Sequence, residues 1–309
     1  MQPILALVIL MLSACQPASS PVTLVVHGGA GRIVAGEMSP EVERAYRDVL
    51  SEALERGLAI LESGGTAVEA VVAAVQAMED SPLFNAGRGA VLNAEGVAEM
   101  DAAVMDGVSR RAGAVAAVRT IRNPVVAAWR VMIASPYVLL VADGAEHFAA
   151  DQGLAIEPPA YFVTERRYRQ WQRAYDTVGA VALDRHGRLA AATSTGGIAG
   201  KRYRRVGDSA LIGAGTYADE RVAVSATGQG EYFIRTVTGH AISARLHHTG
   251  QSLAQATKAA LAEVARLGGE GGLIALDRDG HIAMPFNTEG MYRGYIRAEE
   301  NPQVFLYGH

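Results

Sequence analysis

Cysteine is almost absent from this chain. Among 309 residues only Cys15 carries a thiol, so no intramolecular disulfide can form, and the folded body has neither a cysteine nucleophile nor a cysteine-ligated metal. Lysine is nearly as scarce, with Lys201 and Lys258 alone among 28 basic residues, and the net charge is −4. No basic block or basic–aromatic stripe occurs, so no partner is expected among nucleic acids or anionic surfaces. The apolar run Ile4–Leu12 is well short of the ~20 residues that a membrane-spanning helix needs. Familiar cofactor signatures are missing too. The glycines of His27–Gly31 lack the G-x-G-x-x-G spacing, and Gly196–Lys201 does not match a phosphate loop. His247 and His248 have no H-E-x-x-H-like partner and read as solvated helix surface.

What is present divides cleanly. Ile4–Leu12 has the length of a signal-peptide core and ends in Leu12-Ser13-Ala14-Cys15, a lipobox-like sequence, followed by the Pro/Ser-rich Gln16–Pro21. The expectation is a signal peptide over 1–15, lipidation of Cys15, a spacer over 16–21, and an exported, periplasmic, membrane-anchored protein. A non-lipidated signal and a start site set too early are the alternatives. Residues 22–309 read as a single domain. A strand at Val22–Val26 runs into His27-Gly28-Gly29-Ala30-Gly31. Ser39-Pro40 opens a helix reaching Gly64-Gly65. Thr66 and Glu69 form a capping box for a second helix to Glu79, apolar nearly all round and therefore sandwiched inside the protein. Further strands are expected at Ala90–Asn93, Glu99–Met105, Ala112–Val118 and Tyr137–Val141, with helices from Asn123-Pro124 to Ala134 and over Ala145–Gln152. Glu165–Tyr175 is the one linker-like stretch. Beyond it, a hairpin (177–183, 188–195) turns at Asp184–Gly187, and Leu273–Met284 nearly copies it. Between them lie strand-like Leu211–Gly213 and Val222–Ala226 and the helices Tyr232–Leu246 and Ser252–Leu267. Two matching hairpins between helical layers predict an α+β sandwich.

Chemistry concentrates in this second half. Thr177 steps directly into an apolar strand; scission before it would free an amine and a hydroxyl on one residue, a nucleophile with its own base. If Leu183 pairs with Arg188 across the turn, Thr177 faces Ser194, one residue from Thr195. Arg205-Val206-Gly207-Asp208 sets a guanidinium and a carboxylate around a glycine, a pair able to hold an α-carboxylate and an α-ammonium. Thr227-Gly228-Gln229-Gly230 joins a strand to a helix, where main-chain N–H groups can hold an oxyanion. Each of these has a plain structural alternative: a β-forming threonine, a surface ion pair, a tight turn.

Taken with "VVHGGAG" (Val25–Gly31), "PLFNAGRG" (Pro82–Gly89), "EMDAAVMDG" (Glu99–Gly107), "DTVGAVALD" (Asp176–Asp184), "GGLIALD" (Gly271–Asp277) and "PFNTEGMYRG" (Pro285–Gly294), the chain resembles the plant-type asparaginase/isoaspartyl peptidase family of N-terminal-nucleophile hydrolases. The resemblance implies a four-layer αββα sandwich and a precursor that cuts itself between Asp176 and Thr177 into 22–176 and 177–309. Thr177 would then be the nucleophile and Thr195 its support. Arg205 and Asp208 would hold the substrate's α-groups, Thr227 and Gly228 would form the oxyanion hole, and Gly230 would line the pocket. Asn85 would be linked to maturation. The implied substrates are L-asparagine and β-aspartyl dipeptides, and the implied assembly is (αβ)2. No organic cofactor is implied. A structural sodium ion is, on the main-chain carbonyls of Met78, Glu79, Ser81, Phe84, Ala86 and Arg88.

Three departures stand out. Asp176 takes the place of the glycine usual in asparaginase-like members, as in aspartylglucosaminidases. The segment before Thr177 is short, and the Asp219–Val222 loop is about one residue short. A glycosylasparaginase and a non-catalytic binding lipoprotein on the same fold are therefore the rival readings.

Overall fold

The computed structural model describes residues 22–165, 167 and 177–308. Its first strand, β1 (Thr23–Gly31), is longer than expected, because the glycine-rich segment continues the strand. β1 pairs with two neighbours. Its pairing with β5 (Val178–Leu183) stops at His27–Gly179, while its pairing with β11 (Gly290–Arg297) continues past a bulge between His27 and Gly29. The bulge opens the sheet where Thr177 stands.

The large sheet has eight strands in the order β12-β11-β1-β5-β6-β2-β3-β4. Its other members are β2 (Met100–Asp106), β3 (Ala112–Val118), β4 (Leu139–Val141), β6 (Leu189–Thr195) and β12 (Gln303–Tyr307). The small sheet orders β10-β9-β8-β7, formed by β7 (Thr216–Ala218), β8 (Val222–Gly228), β9 (Gly271–Asp277) and β10 (Ile282–Ala283). The near-copied hairpins thus fall one in each sheet.

α1 (Pro40–Glu62), α2 (Ala67–Glu79) and α3 (Pro124–Ala134) pack on the outer face of the large sheet, with α4 (Ala142–Asp151) beside β3 and β4. Ser39 and Thr66 cap α1 and α2 as read from sequence, Thr66 with the full capping box. α5 (Gly230–Thr236), α6 (Thr238–Thr249) and α7 (Leu253–Arg266) cover the small sheet. Three apolar layers follow: helices on the large sheet (Leu50, Val71, Val104), sheet on sheet (Val25, Val181, Ile274), and small sheet on helices (Val224, Phe233, Leu273). This is the αββα sandwich.

Local differences have local causes. The helix expected over Tyr232–Leu246 is broken at Val237, held at φ 48°. There the Val237 N–H reaches back to the Phe233 and Ile234 carbonyls as a C-cap, and the Thr236 and Thr238 hydroxyls donate to the Tyr232 and Phe233 carbonyls beside it. Leu211–Gly213 forms no strand; the small-sheet edge is β7 instead. Ala90–Asn93 contributes only a bridge, Leu92 to Ala98. Among the described residues no helix is long and apolar enough to cross a membrane. The leader, the spacer, Cys15, Asp176 and nearly all of the linker lie outside the described residues.

Candidate active site

Strand alternation sorts the side chains of β5 and β6. Val178, Ala180 and Ala182 face the helices, whereas Val181 and Leu183 face the small sheet. By the same period of two, Thr177 and Gly179 point between the sheets, as do Thr193 and Thr195 on β6. The hairpin register differs by one residue from the expected one. Asp184 Oδ1 accepts from the N–H groups of His186 (2.9 Å) and Arg188 (3.0 Å), drawing Arg188 into the turn, so Leu183 faces Leu189 and Val178 faces Ser194. Continued by one residue, that register puts Thr195, not Ser194, opposite Thr177.

The two hydroxyls meet. Thr177 Oγ1 donates to Thr195 Oγ1 at 3.2 Å, and Thr195 Oγ1 also accepts from Gly197 N–H at 2.9 Å. Both residues are buried. Asn85 locks the turn that follows: its Nδ2 donates to the Gly197 carbonyl (2.8 Å), its Oδ1 accepts from Val91 N–H (2.8 Å), and its own carbonyl accepts from Gly196 N–H (3.0 Å). Asn85 therefore ties the 80–90 loop to the strand end carrying Thr195.

Arg205, Gly207 and Asp208 line the same small cavity as Thr177, Thr195 and Gly228. Arg205 and Asp208 do not pair with each other. Glu231, in the first turn of α5, grips Arg205 Nε and Nη2 with its two oxygens, both at 2.8 Å, leaving the Nη1 edge beside Gly207. Asp208 is buried with Oδ2 lacking a hydrogen-bond partner among the described residues. Burial pushes its carboxyl up to about 7, with nearby Glu231 pushing the same way and Arg205 opposing. An unpaired buried carboxyl beside a half-used guanidinium is suited to a zwitterion.

The Thr227–Gly230 segment splits. Gly228 reaches the cavity and sits at φ 137°, close against Glu270, where any side chain would collide. Gly230 lies against Asp208 Oδ1 and Arg205 Nη2, where a Cβ would come within 2.7 and 2.9 Å. The Thr227 hydroxyl accepts from Ala30 N–H at 3.3 Å. The neighbouring Gln229 and Val206, read with these segments as substrate-binding, have side chains engaged elsewhere. Gln229 turns away, its Oε1 accepting from Glu270 N–H at 3.1 Å, because that bond closes the β8–β9 end. Val206 packs on the apolar Ala103/Ala114/Ala116/Ala210 cluster.

Sequence reasoning missed Glu231, Asp101 and His27, although His27 and Asp101 lie within motifs quoted above and Glu231 directly follows Gly230. Asp101 is buried and accepts from Ala117 N–H (2.8 Å) and Gly207 N–H (3.4 Å), fixing the Arg205–Asp208 loop. Its pairing only becomes visible once β2 lies beside β6. Elsewhere, His281 Nδ1 lies 2.8 Å from Asp277 Oδ2, with Asp279 close by, as an ion pair of the second hairpin's turn.

The family model described as "Asparaginase" matches residues 20–306. The chain belongs to this family. It is 48% identical over 306 residues to an isoaspartyl peptidase of Salmonella typhimurium, covering 92% of this chain and 98% of that protein. The isoaspartyl peptidase of Escherichia coli is 46% identical, covering 92% and 95%. A plant-type L-asparaginase of Pyrobaculum calidifontis is 43% identical over 302 residues, covering 90% and 99%.

Family membership makes the loop after α2 worth testing as a cation cradle. Gly87 lies at φ 50° with the Glu79 carbonyl oxygen 2.4 Å from where a Cβ would be, and at Gly89 the Phe84 carbonyl is 2.1 Å from that point. The loop thus curls around main-chain oxygens, in space that only glycine leaves open. Of the six expected positions, Glu79 at the end of α2 and Phe84 in the loop turn their carbonyls to these glycines, while the Met78 and Ala86 carbonyls accept from Ser81 and Gly89 N–H; carbonyl oxygen is the hard donor type that an alkali cation takes.

Proposed function

We propose that this protein is a self-processing amidohydrolase that cleaves the β-amide of L-asparagine and the isopeptide bond of β-aspartyl dipeptides, with Thr177 as nucleophile. The observation that carries the reading is the Thr177–Thr195 hydroxyl pair at 3.2 Å, sharing its cavity with Arg205 and Asp208.

Maturation comes first. Thr177 Oγ attacks the Asp176 carbonyl, the peptide nitrogen leaves as the Thr177 α-amine, and water hydrolyses the resulting ester. Asp176 lies outside the described residues, so the geometry of this step rests on the Thr177 side. The freed α-amine, with an ordinary pKa near 8, serves as general base at neutral pH.

In turnover, Arg205 takes the substrate's α-carboxylate through its unoccupied Nη1 edge. Asp208 takes the α-ammonium, whose charge favours ionisation of the carboxyl that burial otherwise keeps protonated. These two anchors leave the β-carbonyl at Thr177. Attack gives a tetrahedral oxyanion next to Gly228 N–H and the Thr227 hydroxyl. Collapse expels ammonia or an amino acid, which takes its proton from the Thr177 ammonium. Water then releases aspartate and regenerates the threonine.

In the uncleaved chain the cavity is about 10 Å³, room for one water. Scission or a loop shift therefore has to open it. A sodium ion on the six main-chain carbonyls would supply positive charge that gathers the loop, while Asn85 passes that order to Gly197. The relatives' names support the β-aspartyl reading over the glycosylasparaginase rival. By this reading the protein is exported, lipidated at Cys15, and assembled as (αβ)2.

The test is the intact mass of the purified protein. Two fragments meeting at Asp176/Thr177 are expected, and Thr177→Ala should remain whole and inactive. Scission that persists in that variant, or turnover by an uncleaved chain, overturns the mechanism. Faster turnover of GlcNAc-Asn than of β-Asp-Leu overturns the substrate class.

A further inference from the structure

Below Thr195 the two sheets are tied to each other by hydroxyls. Thr193 on β6 and Thr216 at the start of β7 are both wholly buried, and their Oγ1 atoms lie 2.6 Å apart. Thr216 Oγ1 is also 2.9 Å from the Ser209 carbonyl oxygen. A carbonyl can only accept, so the single Thr216 proton goes to Ser209, and the Thr216 oxygen is left to accept from Thr193. Behind Thr193, Ser225 Oγ at 2.7 Å and His27 Nε2, 2.8 Å beyond it, continue the line into β8 and β1.

Both partners of Thr216 belong to the site's framework. Thr193 lies two residues from Thr195 on the same face of β6, and Thr195 accepts from the Thr177 hydroxyl. Ser209 follows Asp208 and lines the cavity with it. The residue before Thr216 serves the same loop. Gly215 N–H donates to the Asp208 carbonyl at 3.1 Å, and a Cβ on Gly215 would come within 2.6 Å of Asp208 Oδ2. Asp208 and Ser209 therefore hang on Gly215 and Thr216, and Thr216 hangs on the strand that carries Thr195. One hydroxyl thus fixes how far the α-ammonium anchor stands from the nucleophile's partner.

That separation decides chain length. With Asp208 holding the α-ammonium, an aspartyl unit brings its side-chain carbonyl to Thr177, whereas a glutamyl unit overruns by one carbon–carbon bond, about 1.5 Å. Misplacement of about 1 Å costs about 100-fold in rate. Such discrimination needs two ends that cannot drift. An apolar contact at position 216 has no preferred direction and would let the loop slide, but hydrogen bonds of 2.6 and 2.9 Å fix it on both sides.

We propose that Thr216 is a positioning residue that makes the site selective for aspartyl over glutamyl substrates, its hydroxyl bridging Thr193 to the Ser209 carbonyl. The inference rests on the Thr177 and Asp208 assignments above. Thr216 itself is not among the residues that line the cavity, and it acts through Asp208.

Thr216→Val removes the bridge with little change of shape, Thr193→Val cuts only its attachment to β6, and Thr216→Ser restores the hydroxyl. Thr257→Val removes a buried hydroxyl from α7 in the far helical layer and controls for lost stability. Selectivity is read as the ratio of kcat/KM for β-Asp-Leu to that for γ-Glu-Leu, and as the ratio of competitive inhibition by L-aspartate and L-glutamate. Folding is followed by Tm. Both ratios should fall about tenfold in Thr216→Val and Thr193→Val, mostly through the aspartyl compounds. They should return in Thr216→Ser, while Thr257→Val loses Tm alone. Thr193→Val decides the matter if Thr216→Val does not fold. Unchanged ratios with only Tm reduced overturn the inference and leave the nucleophile assignment intact. A wild-type enzyme that takes γ-Glu-Leu as readily as β-Asp-Leu does the same. A wild-type protein that neither cleaves nor hydrolyses overturns both.

Discussion

Asp208→Asn should make the protein more stable and inactive at once, by an amount that depends on pH. Asp208 is buried, its Oδ2 has no partner among the described residues, and its pKa is raised from 3.8 to about 7. A raised carboxyl pKa means that the native state binds the proton more tightly than the unfolded chain. The associated stability is complete below the unfolded value and is lost as pH rises from about 4 through 7. At about 1.4 kcal/mol per pKa unit, holding this carboxyl costs roughly 2 kcal/mol at pH 5 and roughly 4 kcal/mol at pH 8. An uncharged amide of the same shape escapes the pH-dependent part. The comparison is best made in the uncleaved Thr177→Ala background, which keeps both proteins as single chains. Urea unfolding at pH 5 and pH 8 should show Asp208→Asn gaining roughly 2 to 3 kcal/mol relative to its parent between the two. Glu79, which burial raises to about 8, bends both curves alike and cancels in the difference, whereas the Asp101 charge is one of the causes that raise Asp208 and belongs to the effect measured. A difference that stays constant with pH, or a variant less stable at pH 8, would refute the account of Asp208 as a charge held in reserve for an ammonium.

Three other outcomes follow from the same geometry. Thr195→Val removes the acceptor for both Thr177 Oγ1 and Gly197 N–H and should lower kcat by roughly 100-fold, whereas Thr195→Ser should stay within about tenfold; equal losses in steady-state rates would deny the hydroxyl its role. Glu231→Ala frees the Arg205 guanidinium to wander and should raise KM about tenfold with kcat little changed, and an unaltered KM would show that the pair does not orient Arg205. Replacing sodium by a large organic cation should lower Tm and slow self-cleavage; a melting curve that ignores the exchange would remove the ion from the 80–90 loop.

Much of the site was legible because strands keep a period of two. Thr177 and Thr195 could be paired from the hairpin alone, though one residue off, since nothing in the residue order shows how far the Asp184 side chain draws Arg188 into the turn. The glycine segment at His27–Gly31 could be denied a nucleotide but not recognised as strand, because its conformation is set by β5 and β11 on either side. Gln229 looked like its neighbours in sequence and faces the other way.

The sequence by itself determined the layers, the caps, the apolar faces and the hydroxyl-bearing strand, because propensity and alternation act over a few neighbouring residues. It also determined the family, through motifs spread over nearly the whole chain. Only the tertiary structure decided which carboxylate holds Arg205, that Asp208 stands unpaired, and that His27 reaches Ser225 from 198 residues away. Those pairings join residues far apart in the chain, and their energies come from burial and short contacts that do not exist until the two sheets have closed on each other.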